Sequence, residues 1–225
     1  MADAKRVLPD AVFRELYLAE PSDDEGNPFG IKAIAKCVRP ISAKKPVVWG
    51  WDLAKSQDWT VGIGLDENRD ICRFERFQLP WDATMRKIVA ATGSTRALVD
   101  STGVGDPVLE MLQKNPNTRF EGYHFTAPSK QMLMEGLAVV IQQEEIGIIE
   151  GVCTNELESF EYEYTRTGVR YSAPAGFHDD AVCSLALANM HFMHRKPAMV
   201  INDEVLKLAA RKPLARMGEG RRIYR

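Results

Sequence analysis

The sequence has little cysteine and histidine, and its cysteines are not grouped. It contains four cysteines (Cys37, Cys72, Cys153 and Cys183) that lie at least 30 residues apart, and four histidines. This spacing excludes a zinc knuckle and a disulfide framework. We therefore expect the cysteines to be buried, reduced thiols of a cytosolic protein.

Several sequence signals are also missing. No apolar run reaches membrane-spanning length, and residues 1–6 lack the apolar core of a signal peptide, so no membrane association is expected. The phosphate-binding motif GxxxxGK[ST] is absent, since Gly103-Val-Gly-Asp lacks its lysine. There is also no GxSxG motif, and no Cys/His pair is suitably placed for covalent catalysis. These absences disfavour a P-loop ATPase and a covalent hydrolase.

The chain lacks a surplus of positive charge, and its charges are unevenly distributed. The net charge is −2, but residues 206–225 carry seven Lys/Arg and one Glu, so residues 1–205 carry −8. Such an acidic body is unlike a free-standing nucleic-acid clamp, which is usually basic. A group of metal-binding acids would explain part of this balance.

The length of 225 residues suits one sizeable globular domain. We predict an N-terminal arm over residues 1–45, with a short helix at 7–20 and a weakly patterned approach segment at 29–45. The domain itself is predicted to cover 46–195, and a basic tail to cover 196–225.

Strands and helices follow each other in a characteristic order. Strands are predicted at 47–51, 60–65, 70–78, 96–100 and 120–124, with a short extended run at 146–149 and a β-hairpin over 162–172. Helices are predicted at 81–91, 106–114, 129–145, 154–160 and 178–194. Hairpin strands come first and strands alternating with helices come later. This order predicts an α/β domain with a mixed sheet whose antiparallel strands lie at one side.

Two apolar strands each end in an acid, Asp52 and Asp100. If the strands are parallel neighbours, their ends lie about 5 Å apart, at the edge of the sheet where α/β proteins gather ligands. The alternative is that each acid caps a turn or a helix. Two such acids, with a third at a helix start, make a shared site the better interpretation.

The last helix begins with two adjacent acids, Asp179 and Asp180. Neighbouring helical side chains point about 100° apart, so we expect one acid to enter the site and the other to cap the helix. The sequence leaves open which does which. Asp58 either faces a second metal ion or caps its loop. His178 is either an outer partner of the site or an ordinary first-turn residue, and the second interpretation is favoured.

Carboxylates without a Cys/His cluster favour a hard cation, Mg²⁺ or Mn²⁺. Two such ions, about 3.5–4 Å apart, activate water and stabilise the leaving oxygen of a phosphodiester. Short, ionised aspartates can bridge both ions. The acids therefore predict metal-dependent phosphodiester hydrolysis, with two ions expected.

Three motifs, GWDLAKSQDWTVG, LVDSTGVGDPVLEML and GFHDDAVCSLALA, together resemble the nuclease domain of the large terminase subunit of tailed bacteriophages. The resemblance covers about residues 46–195. The segment FRELYLAEPSDDEGNPFG also resembles the stretch that links the family's packaging ATPase to its nuclease. The resemblance implies a ribonuclease H-like (retroviral integrase-like) fold. It also implies an endonuclease that cuts concatemeric viral DNA at the start and end of headful packaging.

By this resemblance, Asp52 is the acid of the first strand, Asp100 that of the fourth strand, and Asp179 or Asp180 that of the final helix, while Asp58 lies near the metals. The implied partners are double-stranded DNA, the packaging ATPase half of the terminase, the portal and the small terminase subunit, in the host cell cytoplasm. The ATPase half has no counterpart in this sequence, so ATPase activity and DNA translocation are not expected from it.

Three cations are interpreted as DNA contacts. Arg166 and Arg170 belong to the predicted hairpin, and Lys130 opens a predicted helix near the strand ends. The alternative is that they are ordinary solvated charges. The basic tail either binds DNA or the portal, or only aids solubility.

Three other functions remain open at this stage. A Holliday-junction resolvase or ribonuclease H would use the same acids on branched or hybrid substrates. A sugar-kinase-like or actin-like ATP-binding domain needs a glycine-rich loop after the first strand, which the residues following Asp52 lack. A non-catalytic docking domain would use the acids only as caps.

Overall fold

A computed structural model describes residues 26–53, 59–103, 105–165 and 168–193 of the chain. The predicted helix at 7–20, the residues Asp58 and Arg166, and the basic tail from 196 lie outside the described residues.

The centre of the domain is a five-stranded mixed sheet. Its strands are β1 (Val48–Asp52), β2 (Thr60–Leu65), β3 (Ile71–Phe77), β4 (Arg96–Asp100) and β5 (Arg119–Tyr123), in the spatial order β3-β2-β1-β4-β5. Strand β1 pairs parallel with β4, which pairs parallel with β5, whereas β1–β2 and β2–β3 are antiparallel. The predicted mixed sheet, with its antiparallel strands at one side, is confirmed. The acids at the ends of β1 and β4 therefore belong to the parallel part of the sheet.

Six helices flank this sheet in the described residues. They are α1 (Ile31–Cys37), α2 (Trp81–Thr92), α3 (Gly105–Gln113), α4 (Ala127–Gln142), α5 (Val152–Ser159) and α6 (Asp180–Met193). Helix α4 begins two residues before the predicted start because Thr126 caps it: the Thr126 hydroxyl accepts from the Ser129 amide at 3.2 Å, and the Ser129 hydroxyl accepts from the Thr126 amide at 2.8 Å. Lys130 consequently lies in the first turn of α4.

Helix α1 lies in the segment that the sequence assigned to an approach arm. Phe29, Ile34 and Cys37 have no exposed surface and belong to the main core. The interpretation of 29–45 as an arm is therefore wrong for residues 29–37. A seven-residue helix has little intrinsic stability, so packing against the rest of the domain, which the local pattern does not reveal, decides this segment.

Helix α6 packs directly against the central strand β1. Eleven of its fourteen residues are buried. A Cβ atom placed on Gly50 of β1 would meet the Ser184 carbonyl oxygen and would approach the Ala188 nitrogen to 2.5 Å. Only a glycine permits this approach of helix backbone to strand. The contact fixes the second and third turns of α6 against the middle of β1.

A separate hairpin completes the described domain. Strands β6 (Glu161–Thr165) and β7 (Gly168–Ser172) pair antiparallel, as predicted. The run at 146–149 is not a strand; it forms single bridges from Gly147 to Asp70 and from Ile148 to Val38. Among the described residues, we find no helix with the length and apolar character needed to cross a membrane.

Candidate active site

The ends of β1 and β4 bring Asp52 and Asp100 together. The parallel register pairs Trp51 with Val99, so the two acids are the next residues of adjacent strands. Both strands are buried along their apolar residues and end where the chain leaves the sheet. Their juxtaposition, predicted from the sequence, follows from the parallel pairing.

The start of α6 adds two more acids to the same place. Asp52, Asp100, Asp179 and Asp180 all border one open cavity of about 270 Å³. The rest of its lining is Leu53, Thr102, Phe125, Lys130 and Cys183. The expectation that only one of the two adjacent acids reaches the site is not met, because α6 begins at Asp180 and leaves Asp179 in the non-helical residues before it. Neighbours on either side of a helix start are not held to the 100° separation of helical residues.

Lys130 reaches this cavity from the first turn of α4. Its ammonium lies 2.9 Å from Asp179 Oδ2, and both side chains are more than two-thirds buried. Burial acts to lower the pKa of Lys130, but the negative groups around it, including Asp179 and Asp52, outweigh burial and raise the pKa above its ordinary value. Lys130 is therefore a charged partner of the acids, enclosed with them.

The two strand-end acids have different surroundings. Asp100 is 5% exposed, and its Oδ1 accepts a hydrogen bond from the Thr102 amide at 2.8 Å, which fixes the carboxylate in the loop after β4. The pKa of Asp52 is raised well above its ordinary value, first by burial and then by the charges of Asp100, Asp180 and Asp179. The site thus concentrates negative charge that a bound cation would stabilise.

The fourth acid is Asp180, and its Oδ2 lies 3.6 Å from His178 Nδ1. Its side chain is 13% exposed, whereas that of His178 is 47% exposed. The histidine contacts a site acid but does not border the cavity. His178 lies two residues before α6 begins, so it is not the first-turn residue that the sequence predicted.

The donor atoms of the cavity suit a hard metal ion, but their arrangement is not that of a complete metal site. All candidate donors are carboxylate oxygens, the ligands that Mg²⁺ and Mn²⁺ prefer. Within residues 26–53, 59–103, 105–165 and 168–193, however, no three His, Cys, Asp or Glu side chains are arranged to hold one ion together. One Asp179 oxygen instead meets Lys130. The chemistry of the donor set fits a hard cation, and the side-chain positions are not those of a complete coordination sphere.

Of the predicted DNA contacts, Arg170 does not border the acid cavity. It is exposed on β7 and lines an adjoining groove of about 690 Å³ between the hairpin and the start of α4. Lys130 and Phe125 border both the groove and the acid cavity. Arg166 and Asp58 fall outside the described residues.

Two buried polar residues next to the site were not singled out from the sequence. The Ser184 hydroxyl donates to the Val61 carbonyl at 2.9 Å and accepts from the Asp52 amide at 3.2 Å. Glu156 Oε2 accepts from the Ala181 amide at 2.7 Å. Both contacts join residues far apart in sequence, so no local spacing could have indicated them. The one feature of the sequence that could have pointed to Glu156 is a glutamate at a core-facing position of a short helix.

Comparison with known proteins adds structural relatives. No protein-family model matches the chain, and no curated protein matches it. The large terminase nuclease of thermophilic phage G20c, solved with bound magnesium, superimposes with a TM-score of 0.65 at 23% identity, covering 76% of this chain and 98% of that one. The large terminase nuclease domain of Thermus phage P74-26 gives a TM-score of 0.62 at 21% identity, covering 74% and 96%.

A longer structure matches as well. The large terminase of bacteriophage HK97 gives a TM-score of 0.55 at 11% identity, and the match covers 84% of this chain and 47% of that protein. At sequence identities this low, the similarity shows a shared fold and nothing more. The chain has the ribonuclease H-like α/β fold that its sequence motifs predicted, and it shares that fold with the nuclease domains of phage large terminases.

Proposed function

We propose that this protein is a metal-dependent DNA endonuclease that cuts concatemeric viral DNA during genome packaging. The observation that carries the proposal is the convergence of Asp52, Asp100, Asp179 and Asp180, from three separate chain segments, on one cavity at the carboxyl ends of two parallel strands. Capping is a local role, so acids that served only as caps would not be expected to converge on one cavity. The fold likeness to terminase nucleases supports the same reaction class.

The metal would be held by Asp52, Asp100 and one or both of Asp179 and Asp180, with Asp58 as a further candidate. Mg²⁺ or Mn²⁺, expected as a pair of ions, would supply an activated water and stabilise the leaving oxygen. Structures of the G20c nuclease with bound magnesium and with bound cobalt support a divalent ion. The chain's own contribution is a set of fixed carboxylates, of which Asp100 is oriented by the Thr102 amide.

The same acids repel the phosphates of DNA, so cations near the cavity are needed to bring the substrate in. Lys130 borders the cavity, and Arg170 borders the groove that adjoins it. We assign both to the DNA backbone, together with Arg166, which lies outside the described residues. Phosphate contacts of this kind position the duplex without reading its sequence.

The proposed setting is the packaging machinery in the host cell cytoplasm. Double-stranded DNA is the substrate, and the packaging ATPase half of the terminase, the portal and the small terminase subunit are the partners. The match to 47% of the HK97 large terminase agrees with a nuclease that acts alongside other parts of such a machine.

Cleavage of supercoiled plasmid in Mg²⁺, Mn²⁺, Ca²⁺ or EDTA tests the proposal. Wild type should cut in Mg²⁺ or Mn²⁺ only, and Asp100→Asn should lose cutting while keeping its circular dichroism spectrum. Asp82→Asn is the matched control, since Asp82 is an exposed acid in the first turn of α2; it should cut like wild type.

Three outcomes would contradict the proposal. Cutting that survives Asp100→Asn would place the chemistry elsewhere. Faster cutting of four-way junctions or RNA–DNA hybrids than of plain duplex would instead favour a resolvase or a ribonuclease H. A wild type that neither cuts nor binds Mn²⁺ would favour a docking domain.

A further inference from the structure

A buried carboxylate, Glu156, lies close to the site but takes no part in the proposed chemistry. Glu156 is 7% exposed and lies on α5 among residues that face the core. It does not border the acid cavity. We propose that Glu156 is a positioning residue, which fixes the first turn of α6 and thereby the places of Asp179 and Asp180. This inference rests on the proposed nuclease function.

The contact that carries the inference is made at the residue directly after the acid pair. Glu156 Oε2 accepts a hydrogen bond from the Ala181 amide at 2.7 Å. Amides of the first helical turn have no partner within the helix, and a negative group placed there is stabilising. A helix usually obtains such a partner from its own preceding residue. Here the acceptor comes from another helix, 25 residues earlier in the chain, so the bond also sets the position of α6 relative to α5.

A carboxylate is an expensive group to bury in this position. Burial raises the pKa of Glu156, and the nearby charge of Asp179 acts in the same direction. The bonds to the α6 amides and the charge of Arg76 act against this rise without cancelling it. Part of this cost is offset because the carboxylate accepts from two backbone amides of the first turn of α6, those of Ala181 and Val182. A buried acceptor at this place is explained if it holds the start of α6 beside the acids.

A second buried contact holds α6 against the sheet. Ser184 has no exposed surface, and it bridges the Val61 carbonyl and the Asp52 amide through its hydroxyl. It therefore ties α6 to the strand end that carries Asp52. Glu156 and Ser184 together determine how far the α6 acids lie from Asp52. Groups that orient metal ligands in this way typically change metal affinity about 10–100-fold when removed.

The test measures metal binding and local structure separately from cutting. Isothermal titration with Mn²⁺ alone compares wild type, Glu156→Ala, Glu156→Gln and Glu158→Ala. Glu156→Ala should weaken Mn²⁺ binding roughly 10-fold or more. Glu156→Gln should recover most of the affinity, because its amide oxygen can still accept from the Ala181 amide. Glu158 is an exposed glutamate on the same helix, so Glu158→Ala removes the same charge without the bond and should bind like wild type.

Hydrogen exchange of the peptide covering residues 179–184 gives a readout that needs no metal. Exchange should be faster in Glu156→Ala and close to wild type in Glu156→Gln. Unchanged Mn²⁺ affinity in Glu156→Ala, even with a lowered melting temperature, would overturn the inference, as would equal losses in Glu156→Ala and Glu156→Gln. If Glu156→Ala does not fold, Glu156→Asp makes the same test, because its shorter side chain withdraws the acceptor from the Ala181 amide and should also weaken Mn²⁺ binding. A wild type that binds no Mn²⁺ and does not cut would instead refute the proposed function.

Discussion

The close packing of α6 on β1 makes Gly50→Ala a sharp test of the architecture around the site. The added Cβ would meet the Ser184 carbonyl oxygen, the Ala188 nitrogen at 2.5 Å and the Leu187 Cβ at 3.0 Å. Ordinary carbon contacts are about 3.5–4.0 Å. Two of the three opposing atoms belong to helix backbone, which no side-chain rotation can move. The helix must therefore shift away from the strand by roughly 1 Å.

The cost of this shift is estimated from packing. Overpacking a core costs typically about 1–3 kcal/mol, and the upper end applies because the shift loosens contacts along a helix with eleven buried residues. Replacing glycine in a strand returns about 0.5–1 kcal/mol of backbone entropy. The net loss is about 2–2.5 kcal/mol, which lowers the melting temperature of a domain of this size by about 4–10 °C. If the protein is a nuclease, a displacement of Asp179 and Asp180 by about 1 Å should also cost about 100-fold in cutting.

Thermal unfolding followed by circular dichroism checks the prediction, and Gly136→Ala is its control. A Cβ at Gly136 would meet the sulfur and terminal methyl of Met193, the far end of a flexible side chain that is 42% exposed and can turn away. Alanine is favoured over glycine inside a helix by about 1 kcal/mol, so this variant should be neutral or slightly stabilised. A Gly50→Ala protein with wild-type melting temperature and full cutting would refute the reasoning.

Three further predictions concern other parts of the domain. Asn27→Ala should destabilise the fold by about 2–4 kcal/mol in urea unfolding, because Asn27 Nδ2 donates to the carbonyls of Leu157 and Phe160 at 2.8 and 3.1 Å; equal stability would show that these buried bonds contribute nothing. Asp52→Asn should raise the melting temperature without metal, since it removes a buried like charge, and should reduce the stabilisation by Mn²⁺; a larger Mn²⁺ shift than wild type would contradict a ligand role. Burial raises the pKa of Cys153 from 9.0 to about 12, so above pH 9 the unfolded thiol ionises first and its contribution to stability falls as pH rises. The stability difference between wild type and Cys153→Ala should therefore shrink between about pH 9 and 11, and a growing difference would contradict it.

Much of the domain was predictable because its signals are local. The apolar runs ending in Asp52 and Asp100 identify strands that carry acids at their ends, and the hairpin and the last helix follow from alternation and from an apolar stretch after two acids. The isolated, buried cysteines were also predictable, and all four are free and buried. The segment around Phe29 was misread because its pattern is short and its helix depends on distant packing partners.

By itself, the sequence determined which residues could do chemistry and the order of the helices and strands that carry them. This is because the end of a strand and the start of a helix are each encoded by a few neighbouring residues. Only the tertiary structure decided how these residues meet. It placed both Asp179 and Asp180 at the cavity, turned Lys130 toward Asp179 and set Glu156 against the start of α6. Such contacts join residues separated by 25 to 49 positions. The energies of these contacts depend on burial and on distances in the folded protein. The spacing of residues along the chain does not reveal either.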